Sequence, residues 1–433
     1  MSKGKKSLRR AAANMLATIE RGKTLDEAGD RLEGLDPRDA GFARAIVLTT
    51  LRRRRQIEQI MSDLIKKPIP RRPHIANALL QIGIVQLCFM DVAPHAAINE
   101  TVNAVGKPEQ MYRGLINGVL RNLARALEDK PDDPAIKQPD RINLPDWLAD
   151  SWQTQYGGDA MAQIADRLLQ TPPLDLHFST PEHASDWLTN YGADYNAEQL
   201  APHHVRIIYS SAVDMLPEYD RGTWWIQDIA AQLPAQLFPE KADTLDLCAA
   251  PGGKTMQLSH LGHDVSALDI SASRLSQLSQ NLKRCGAKAS LIEADLTTWE
   301  PDQQWHNVLL DAPCSATGTL RRHPDIALHR RASHIEGRAA LQDSLLDRAF
   351  ELTKPGGTLI YCVCSLEAQE GEERAQAFSQ RQAQLAPMPI LPTEIPALLA
   401  AAITQDGQLR TRPDLLPNGL DGFFVARWRK LTG

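Results

Sequence analysis

Leu245-Asp246-Leu247-Cys248-Ala249-Ala250-Pro251-Gly252-Gly253-Lys254-Thr255 is the stretch that decides the fold of this 433-residue chain. An apolar run ends in small residues and a Pro-Gly-Gly turn, and a segment of helical character follows up to Leu261. This pattern predicts a strand, a tight loop and the start of a helix. Because Gly252 and Gly253 carry no side chains, a ligand can approach the backbone N–H groups of the loop closely.

Short apolar runs alternate with helical stretches throughout residues 236–433. Such alternation predicts a parallel sheet covered by helices on both faces, which is a Rossmann-like α/β fold. Ligands of these sheets bind beyond the carboxyl ends of the strands. Six runs are predicted to be strands: Thr244–Cys248, Asp264–Asp269, Ala289–Ile292, Asn307–Asp311, Gly357–Cys364 and Gly422–Trp428.

A glycine loop that follows a strand can bind a nucleoside triphosphate, a dinucleotide or S-adenosylmethionine. A P-loop needs glycine at the position of Cys248, and a dinucleotide site needs a G-x-G-x-x-G pattern that is missing, so both are disfavoured. S-adenosylmethionine remains, with Asp269 placed to accept from the ribose diol and Asp295 from the adenine amino group. Asp311 ends a further predicted strand. Each carboxylate has an alternative role as a helix N-cap or turn residue.

Two of the six cysteines, Cys314 and Cys364, also stand at the ends of predicted strands. A metal site is disfavoured because Cys362 and Cys364 have no further ligand nearby, so we expect no metal. A buried, inert thiol is the usual state of a single cysteine and suits Cys88, Cys285 and Cys362. The strand-end position of Cys314 and Cys364 favours a reactive role, which requires a cationic or helix-N-terminal surrounding.

The first 130 residues differ from the rest of the chain in charge and in pattern. They hold 23 basic and 14 acidic residues, a balance of +9, whereas the whole chain carries −5. Apolar residues at helical spacing between short Pro/Gly connectors predict a compact all-α domain over 1–130. The basic balance indicates an anionic partner. We expect the run Arg52, Arg53, Arg54 and Arg55 to contact phosphates or, alternatively, to be solvated.

Two further regions complete the predicted domain organisation. Residues 131–143 are charged and Pro-rich, which predicts a linker. Residues 144–235 carry strand patterns at Leu174–Phe178 and Val205–Ser210 with a helical pattern between them, which predicts a small α+β domain. No apolar run reaches the roughly 18 residues of a membrane span, and no secretory signal is visible. The cysteine spacing does not suggest disulfides, and we expect a cytoplasmic monomer with reduced thiols.

Several motifs resemble those of the NOL1/NOP2/Sun family of RNA cytosine-C5 methyltransferases. The resemblance covers about residues 205–430 and rests on Asp246-Leu-Cys-Ala-Ala-Pro-Gly-Gly-Lys-Thr, Asp311-Ala-Pro-Cys-Ser and Val363-Cys364-Ser365. Gln227-Asp228, Arg321-Arg322-His323-Pro324-Asp325 and Asp421-Gly422-Phe423-Phe424 also fit this family. Over about residues 5–130, Ile98-Asn99-Glu100 and Asn117-Gly118-Val119-Leu120-Arg121 resemble the helical NusB family, which implies an RNA-binding module.

The resemblance implies a class I methyltransferase fold for residues 236–433 and S-adenosylmethionine as cofactor. The residues that it assigns to cofactor binding are Cys248, Ala249, Ala250, Pro251, Gly252, Gly253, Lys254, Asp269, Asp295 and Asp311.

The resemblance also explains why two thiols stand beside a methyl donor. Cytosine C5 is a poor nucleophile until a thiolate attacks C6. In this family the attacking cysteine matches Cys364, and the one that assists release matches Cys314. DNA cytosine-C5 enzymes use the cysteine of a Pro-Cys pair instead, so the residues alone leave the assignment open. Cys362-Val363 departs from the family, which more often has Ala-Thr there.

Together with the NusB-like N-terminus, the motifs resemble family members that act on 16S ribosomal RNA, in a hairpin or single-stranded region where a base leaves its stack easily. Arg321, Arg322, Arg330 and Arg331 are expected to hold phosphates or to form a solvated surface. Two alternatives stay open: a tRNA cytosine-C5 methyltransferase, and a non-catalytic RNA-binding protein with an antitermination-like role. The intact motif residues argue against the second.

Overall fold

The computed structural model describes residues 7–66, 69, 74–130, 140–209 and 213–432. A helical unit comes first, and its apolar residues are buried between the helices. Local caps begin two of these helices, because Ser7 Oγ accepts from the Arg10 N–H and an Asp36 oxygen accepts from the Asp39 N–H. The α-helices of this unit are α1 (Leu8–Ile19), α2 (Pro37–Arg52), α3 (Arg54–Leu64), α4 (His74–Cys88), α5 (Pro94–Asn103) and α6 (Arg113–Asp129).

A small antiparallel sheet follows, with strand order β2-β3-β1-β4. The predicted strand at Val205–Ser210 ends at Ile207, and Ser210 lies outside the described residues. Helices α7 and α8 precede this sheet but pack elsewhere, against Leu320 and Leu366 of the C-terminal part. The elements are α7 (Asp146–Tyr156), α8 (Gly158–Leu169), β1 (Leu174–Phe178), α9 (Pro181–Tyr191), β2 (Glu198–Ala201), β3 (His204–Ile207) and β4 (Trp224–Ile226).

The C-terminal part is a large sheet with helices on both faces. Its strand order is β10-β12-β9-β8-β5-β6-β7, and β11 pairs with β12. The elements are α10 (Ile229–Gln236), β5 (Asp243–Leu247), α11 (Gly253–His260), β6 (Asp264–Asp269), α12 (Ala272–Cys285), β7 (Ser290–Glu293), β8 (Trp305–Asp311), α13 (Ile326–His329), α14 (Ser333–Leu352), β9 (Thr353–Val363), α15 (Glu372–Arg381), β10 (Leu385–Pro387), β11 (Leu409–Arg410) and β12 (Phe424–Lys430).

The predicted fold class is confirmed, with one correction to the sheet. Strands β7, β6, β5, β8 and β9 are parallel, as predicted, but β12 runs antiparallel to β9. A parallel neighbour needs a crossover connection, usually a helix. Helix α15 carries the chain from β9 to β10, but in the structure described only 3-10 turns and the short β11 lie between β10 and β12. Strand β12 therefore returns antiparallel to β10 and, lying between β10 and β9, antiparallel to β9 as well. The apolar character of Gly422–Trp428 therefore predicted the strand but not its direction.

The predicted domain boundaries fall in connecting segments that the structure describes only in part. Residues 131–139 of the predicted linker lie outside the described residues, so the boundaries 1–130, 131–143, 144–235 and 236–433 stay predictions. Of the helices that are described, none combines the length and the apolar character that a membrane crossing requires.

A close backbone contact joins the segment after β8 to the segment before β12. Gly422 N donates a hydrogen bond to Gly318 O at 2.8 Å. A Cβ atom at Gly318 would lie 1.9 Å from the Gly422 carbonyl oxygen, which is far inside van der Waals contact. Glycine is therefore required at this position by the approach of another backbone.

Gly318→Ala is expected to destabilise the protein by about 3 kcal/mol, because two backbone segments must separate to admit the methyl group. Gly337→Ala is the matched control: Gly337 lies within α14, where a Cβ meets nothing within 4 Å. That control should stabilise the protein by about 0.5–1 kcal/mol through helix propensity. Urea unfolding measures both free energies, and equal values for the two variants would contradict the packing argument.

Candidate active site

The loop between β5 and α11 ends in the N-terminus of a helix. Gly252 has φ +103°, and a Cβ on it would lie 2.8 Å from Leu278 Cγ on α12. Cys248, at the start of the loop, has φ +59° although it is not glycine. Helix α11 begins at Gly253, and the first N–H groups of a helix have no partner within the helix. The N–H groups of Ala249, Ala250 and Gly252 donate within the protein, so the first turn of α11 is what has backbone donors without a partner in the helix. The approach of a ligand to them stays a prediction.

Asp246 lies beneath this loop, fully buried. Its Oδ2 accepts a hydrogen bond from Thr255 Oγ1 at 2.6 Å, whereas Oδ1 has no partner among the described residues. Burial raises the pKa of Asp246 to about 7, since the charged form loses its hydration. A buried acceptor oxygen without a partner suits a ligand that brings a hydrogen-bond donor.

Asp269 ends β6 and is engaged with the backbone of its surroundings. Its Oδ2 accepts from Ala250 N at 3.2 Å and its Oδ1 from Ser271 N at 3.0 Å, and Arg274 Nη1 lies 3.1 Å from Oδ2. The structure thus gives Asp269 the turn role that the sequence left as an alternative, and it fixes the glycine loop in doing so. The next residue, Ile270, is 65% exposed, so an apolar surface lies open at the end of β6.

Asp295 is exposed on the loop that follows β7. It accepts from Thr297 N at 2.9 Å and Thr297 Oγ1 at 2.7 Å, and these hydrogen bonds lower its pKa. The structure therefore places Asp295 in a turn, again the alternative role, and its contact with a cofactor stays a prediction.

Asp311 connects the glycine loop to the strand that leads to Cys364. Its Oδ2 accepts from Lys254 Nζ at 2.7 Å, and its Oδ1 lies 3.4 Å from Cys362 Sγ. Burial opposes the charge of Lys254, yet Asp311 raises the pKa of its ammonium above the usual value. Lys254 Nζ also lies 5.2 Å from the centre of the Phe423 ring. Cys362 is fully buried, as the sequence predicted for a packed thiol.

Cys314 and Cys364 face each other with 3.4 Å between their sulfur atoms. The loops that carry them run side by side, because Ala312 N donates to Cys362 O and Gly318 N donates to Cys364 O, each at 3.0 Å. Cys314 is only 7% exposed. Its contact with Cys364 and, second, its burial raise the pKa of its thiol well above the ordinary value. The described residues contain no cluster of three or more potential metal ligands.

The arginines after Cys314 are part of a buried ionic network. Arg321 is 2% exposed and binds Asp228 and, at 2.9 Å, Asp421. Arg322 binds the same Asp421, with 2.8 Å between Nε and Oδ2, and its positive charge interacts with Cys364. Arg321 is thus not on a solvated surface, and its burial between two carboxylates leaves it no surface for a phosphate. Arg322 is one-third exposed and keeps part of its surface for a ligand.

Arg330 and Arg331 follow at the end of α13. Arg330 Nε donates to Ser315 O at 3.1 Å, beside Cys314, and it is half-buried. Arg331 is exposed. Their contact with phosphates stays a prediction.

The side chains of the run Arg52–Arg55 all have partners within the protein, and phosphate contact by the partly exposed Arg53, Arg54 and Arg55 stays a prediction. Arg52 is 7% exposed and donates to Arg321 O at 3.0 Å, which excludes it from contact with RNA. Arg53 lies over the Phe89 ring at 4.9 Å. Arg54 binds Glu20 and Glu58, and Arg55 binds Asp146 at 2.7 Å.

The helical unit docks directly onto the segment downstream of Cys314. Leu25 N donates to Asp325 Oδ2 at 3.0 Å in a buried contact, and His329 Nε2 lies 3.2 Å from Lys23 O. Leu328 packs against the core of the helical unit. This contact joins the N-terminal unit to the loop that carries one of the two facing thiols.

Three residues around the site were not singled out from the sequence: Glu370, Asp421 and Ile270. Asp421 lies in a quoted motif, Asp421-Gly422-Phe423-Phe424, so a signal existed. A signal for Glu370 is weaker: each facing cysteine is followed by a serine, Ser315 or Ser365, and both serines bind Glu370. Ile270 directly follows Asp269, and its exposure was not visible in the sequence.

Comparison with known proteins relates both parts of the chain to described families. The profile of a family described as 16S rRNA methyltransferase RsmB/F matches residues 235–429, and that of the NusB family matches residues 6–125. The Ribosomal RNA small subunit methyltransferase B of Cronobacter sakazakii is 35% identical over 97% of this chain and 98% of its own length.

Two solved structures share the fold. The crystal structure titled PH0851 has a TM-score of 0.79 at 20% identity and covers 98% of both chains. The structure of NSun6 from Pyrococcus horikoshii with SFG has a TM-score of 0.57 at 16% identity, over 67% of this chain and 99% of that one. The first match spans both the helical and the C-terminal parts of the chain.

Asp246→Asn is expected to remove a pH dependence of stability. Because the pKa of Asp246 is raised to about 7, the folded chain binds more protons than the unfolded chain between about pH 4 and pH 7. The contribution of Asp246 to the free energy of unfolding should therefore fall as the pH rises through that window in the parent protein, and this slope should be absent in the variant. Melting temperatures measured between about pH 5 and pH 8 test this, and parallel curves for the two proteins would contradict it.

Proposed function

Because the chain belongs to the 16S rRNA methyltransferase RsmB/F family, we propose that it transfers a methyl group from S-adenosylmethionine to carbon C5 of a cytosine in 16S ribosomal RNA. Membership of the family identifies the chain as a methyltransferase of small-subunit ribosomal RNA. We propose in addition that the target is a cytosine, that C5 is the methylated atom and that the reaction passes through a covalent adduct. The thiol pair carries this proposal, with two sulfur atoms 3.4 Å apart, one of them three residues after Asp311, which binds Lys254 of α11.

A thiol solves a chemical problem that methyl transfer to C5 poses. Attack of the Cys364 sulfur on C6 forms an S–C6 bond and moves the C5=C6 electron pair onto C5. C5 uses this electron pair to form a bond to the methyl carbon, while the bond from that carbon to the donor's sulfur breaks and leaves its electron pair on a neutral thioether sulfur. A base removes the C5 proton, the C5–H electrons re-form C5=C6, and sulfur leaves with the S–C6 pair. Only one of the two cysteines is needed as nucleophile, so the second requires a separate role.

The surroundings of the two thiols differ in a way that supports Cys364 as the nucleophile. Cys314 is buried and its raised pKa keeps its proton, so its S–H can donate to a Cys364 thiolate. Cys364 is less buried and interacts with the positive charge of Arg322. In this arrangement Cys314 holds a proton for the Cys364 sulfur when the S–C6 bond breaks.

The residues of the glycine loop fit the proposed cofactor. S-adenosylmethionine supplies the methyl group on a positively charged sulfonium centre. The unpartnered Asp246 Oδ1 and the N-terminus of α11 offer an acceptor and donors for the amino-acid end of such a ligand. The exposed Ile270 offers an apolar surface for a flat ring at the end of β6, and Asp269 holds the loop between them.

The substrate can be tested directly with tritium-labelled cofactor. We expect label in 16S ribosomal RNA, at a cytosine that resists bisulfite conversion only in cells with the protein. Unlabelled 16S RNA together with labelled tRNA would favour the alternative tRNA enzyme. No label in either RNA would contradict the methyltransferase activity and favour a non-catalytic RNA-binding role.

Cys364→Ala is expected to lower the methylation rate by about a thousandfold or more and to abolish the covalent RNA adduct, because the nucleophile is lost. Cys314→Ala should still form the adduct and accumulate it, since release is slowed. Cys285→Ala is the matched control, a buried thiol on α12 that contacts Trp224 O at 3.9 Å. Denaturing gels of enzyme with RNA measure the adduct, and the reverse pattern for Cys314 and Cys364 would overturn the assignment.

A further inference from the structure

A buried carboxylate, Glu370, lies behind the thiol pair. It accepts hydrogen bonds from the Ser315 N–H at 2.9 Å, from the Ser365 hydroxyl at 2.6 Å and from Gln342 Nε2 at 3.2 Å, and the Ser315 hydroxyl also donates to it. Its side chain is fully buried. Within the described residues Glu370 forms no ion pair with Lys or Arg, so these hydrogen bonds are what compensates its desolvation.

Two of the three residues that donate to Glu370 lie in the loops that carry the thiols, and the third, Gln342, lies on α14. Ser315 directly follows Cys314, and Ser365 directly follows Cys364. The hydroxyl groups of these two serines also lie 3.1 Å apart. A single carboxylate therefore joins the residue after one thiol to the residue after the other. Burial of a carboxylate is costly unless hydrogen bonds compensate it. Because the donors to Glu370 lie beside the thiols and on α14, keeping these hydrogen bonds fixes the two loops in a single geometry.

We propose that Glu370 is a positioning residue that holds the sulfur atoms of Cys314 and Cys364 within one hydrogen bond of each other. Its carboxylate accepts from both loops at once, with both serine hydroxyls on Oε2 and the Ser315 N–H and Gln342 Nε2 on Oε1. A neutral amide whose oxygen took the place of Oε2 would turn an NH2 group toward the Ser315 N–H and Gln342 Nε2, two donors that it cannot accept from. The role in methyl transfer rests on the proposed function; the role in thiol geometry does not. Glu370 contacts no reacting atom and acts through Ser315 and Ser365.

The thiol geometry can be measured without RNA or cofactor. Diamide takes two hydrogen atoms from a pair of thiols, becomes a hydrazine and leaves an S–S bond, so its rate of reaction reports how often the two sulfur atoms meet. Glu370→Gln should slow formation of the Cys314–Cys364 disulfide by about tenfold, because the effective concentration of one thiol at the other falls. Mass spectrometry of the linked peptides identifies the pair.

Glu109→Gln is the matched control. Glu109 is also a buried carboxylate, but it lies in the helical unit and binds Arg10 at 2.7 Å. We expect the control to lose stability and to keep the disulfide rate within about twofold, because its thiol loops are intact. A folded Glu370→Gln protein with the parent rate would overturn the proposal, and so would an equal slowing in the control.

A second variant and an activity measurement complete the test. Ser365→Ala removes one donor only and should slow disulfide formation by about threefold, which keeps the proposal testable if Glu370→Gln does not fold; an unchanged rate there would contradict it. In methylation of 16S ribosomal RNA, Glu370→Gln should lower kcat by about tenfold with little change in KM. If the parent protein methylated no cytosine, the proposed function would fail while the disulfide rates still decided the role of Glu370.

Discussion

The parallel pairing of β8 with β9 is the constraint on which the site depends. Asp311 lies opposite Cys362 in this register, and both strands end at the same edge of the sheet. Cys314 follows three residues after Asp311, and Cys364 follows two residues after Cys362, so the two thiols leave the sheet together. A slip of one residue would turn the side chains of one strand to the opposite face and separate Asp311 from Cys362.

A second constraint is the buried network of Asp228, Arg321, Arg322 and Asp421. These four residues come from the β4–α10 junction, the segment after Cys314 and the segment before β12. A buried ion pair contributes little net stability, because desolvation costs about as much as the attraction returns, but removal of one partner leaves an uncompensated charge. The network is therefore better understood as fixing one arrangement of three distant segments around Cys364 than as a source of stability.

The sequence predicted those parts of the fold and site that depend on local pattern. Apolar runs bounded by turns located six of the eight strands of the large sheet, all but the short β10 and β11, and strand-end residues located Asp311, Cys314 and Cys364. Partners distant in the chain were not predictable: Arg52 and Arg321 are 269 residues apart, and four consecutive arginines look the same whether solvated or paired. Glu370 lies among several acidic residues, and only the fold distinguishes the one that faces inward.

The docking of the helical unit changes how its positive charge should be understood. Several of these positive charges are paired or buried within the protein. Arg10 binds Glu109, Arg54 binds Glu20, and Arg52 is buried against Arg321. Exposed residues of the unit that bind RNA would add affinity, and the buried contact of Leu25 with Asp325 would fix their distance from Cys314. Because the docked residues, Asp325 to His329, follow closely after Cys314 and Arg322 in the chain, a rigid attachment would orient an RNA bound by the helical unit relative to the thiols. A helical unit joined only by a linker would raise the local RNA concentration without orienting it.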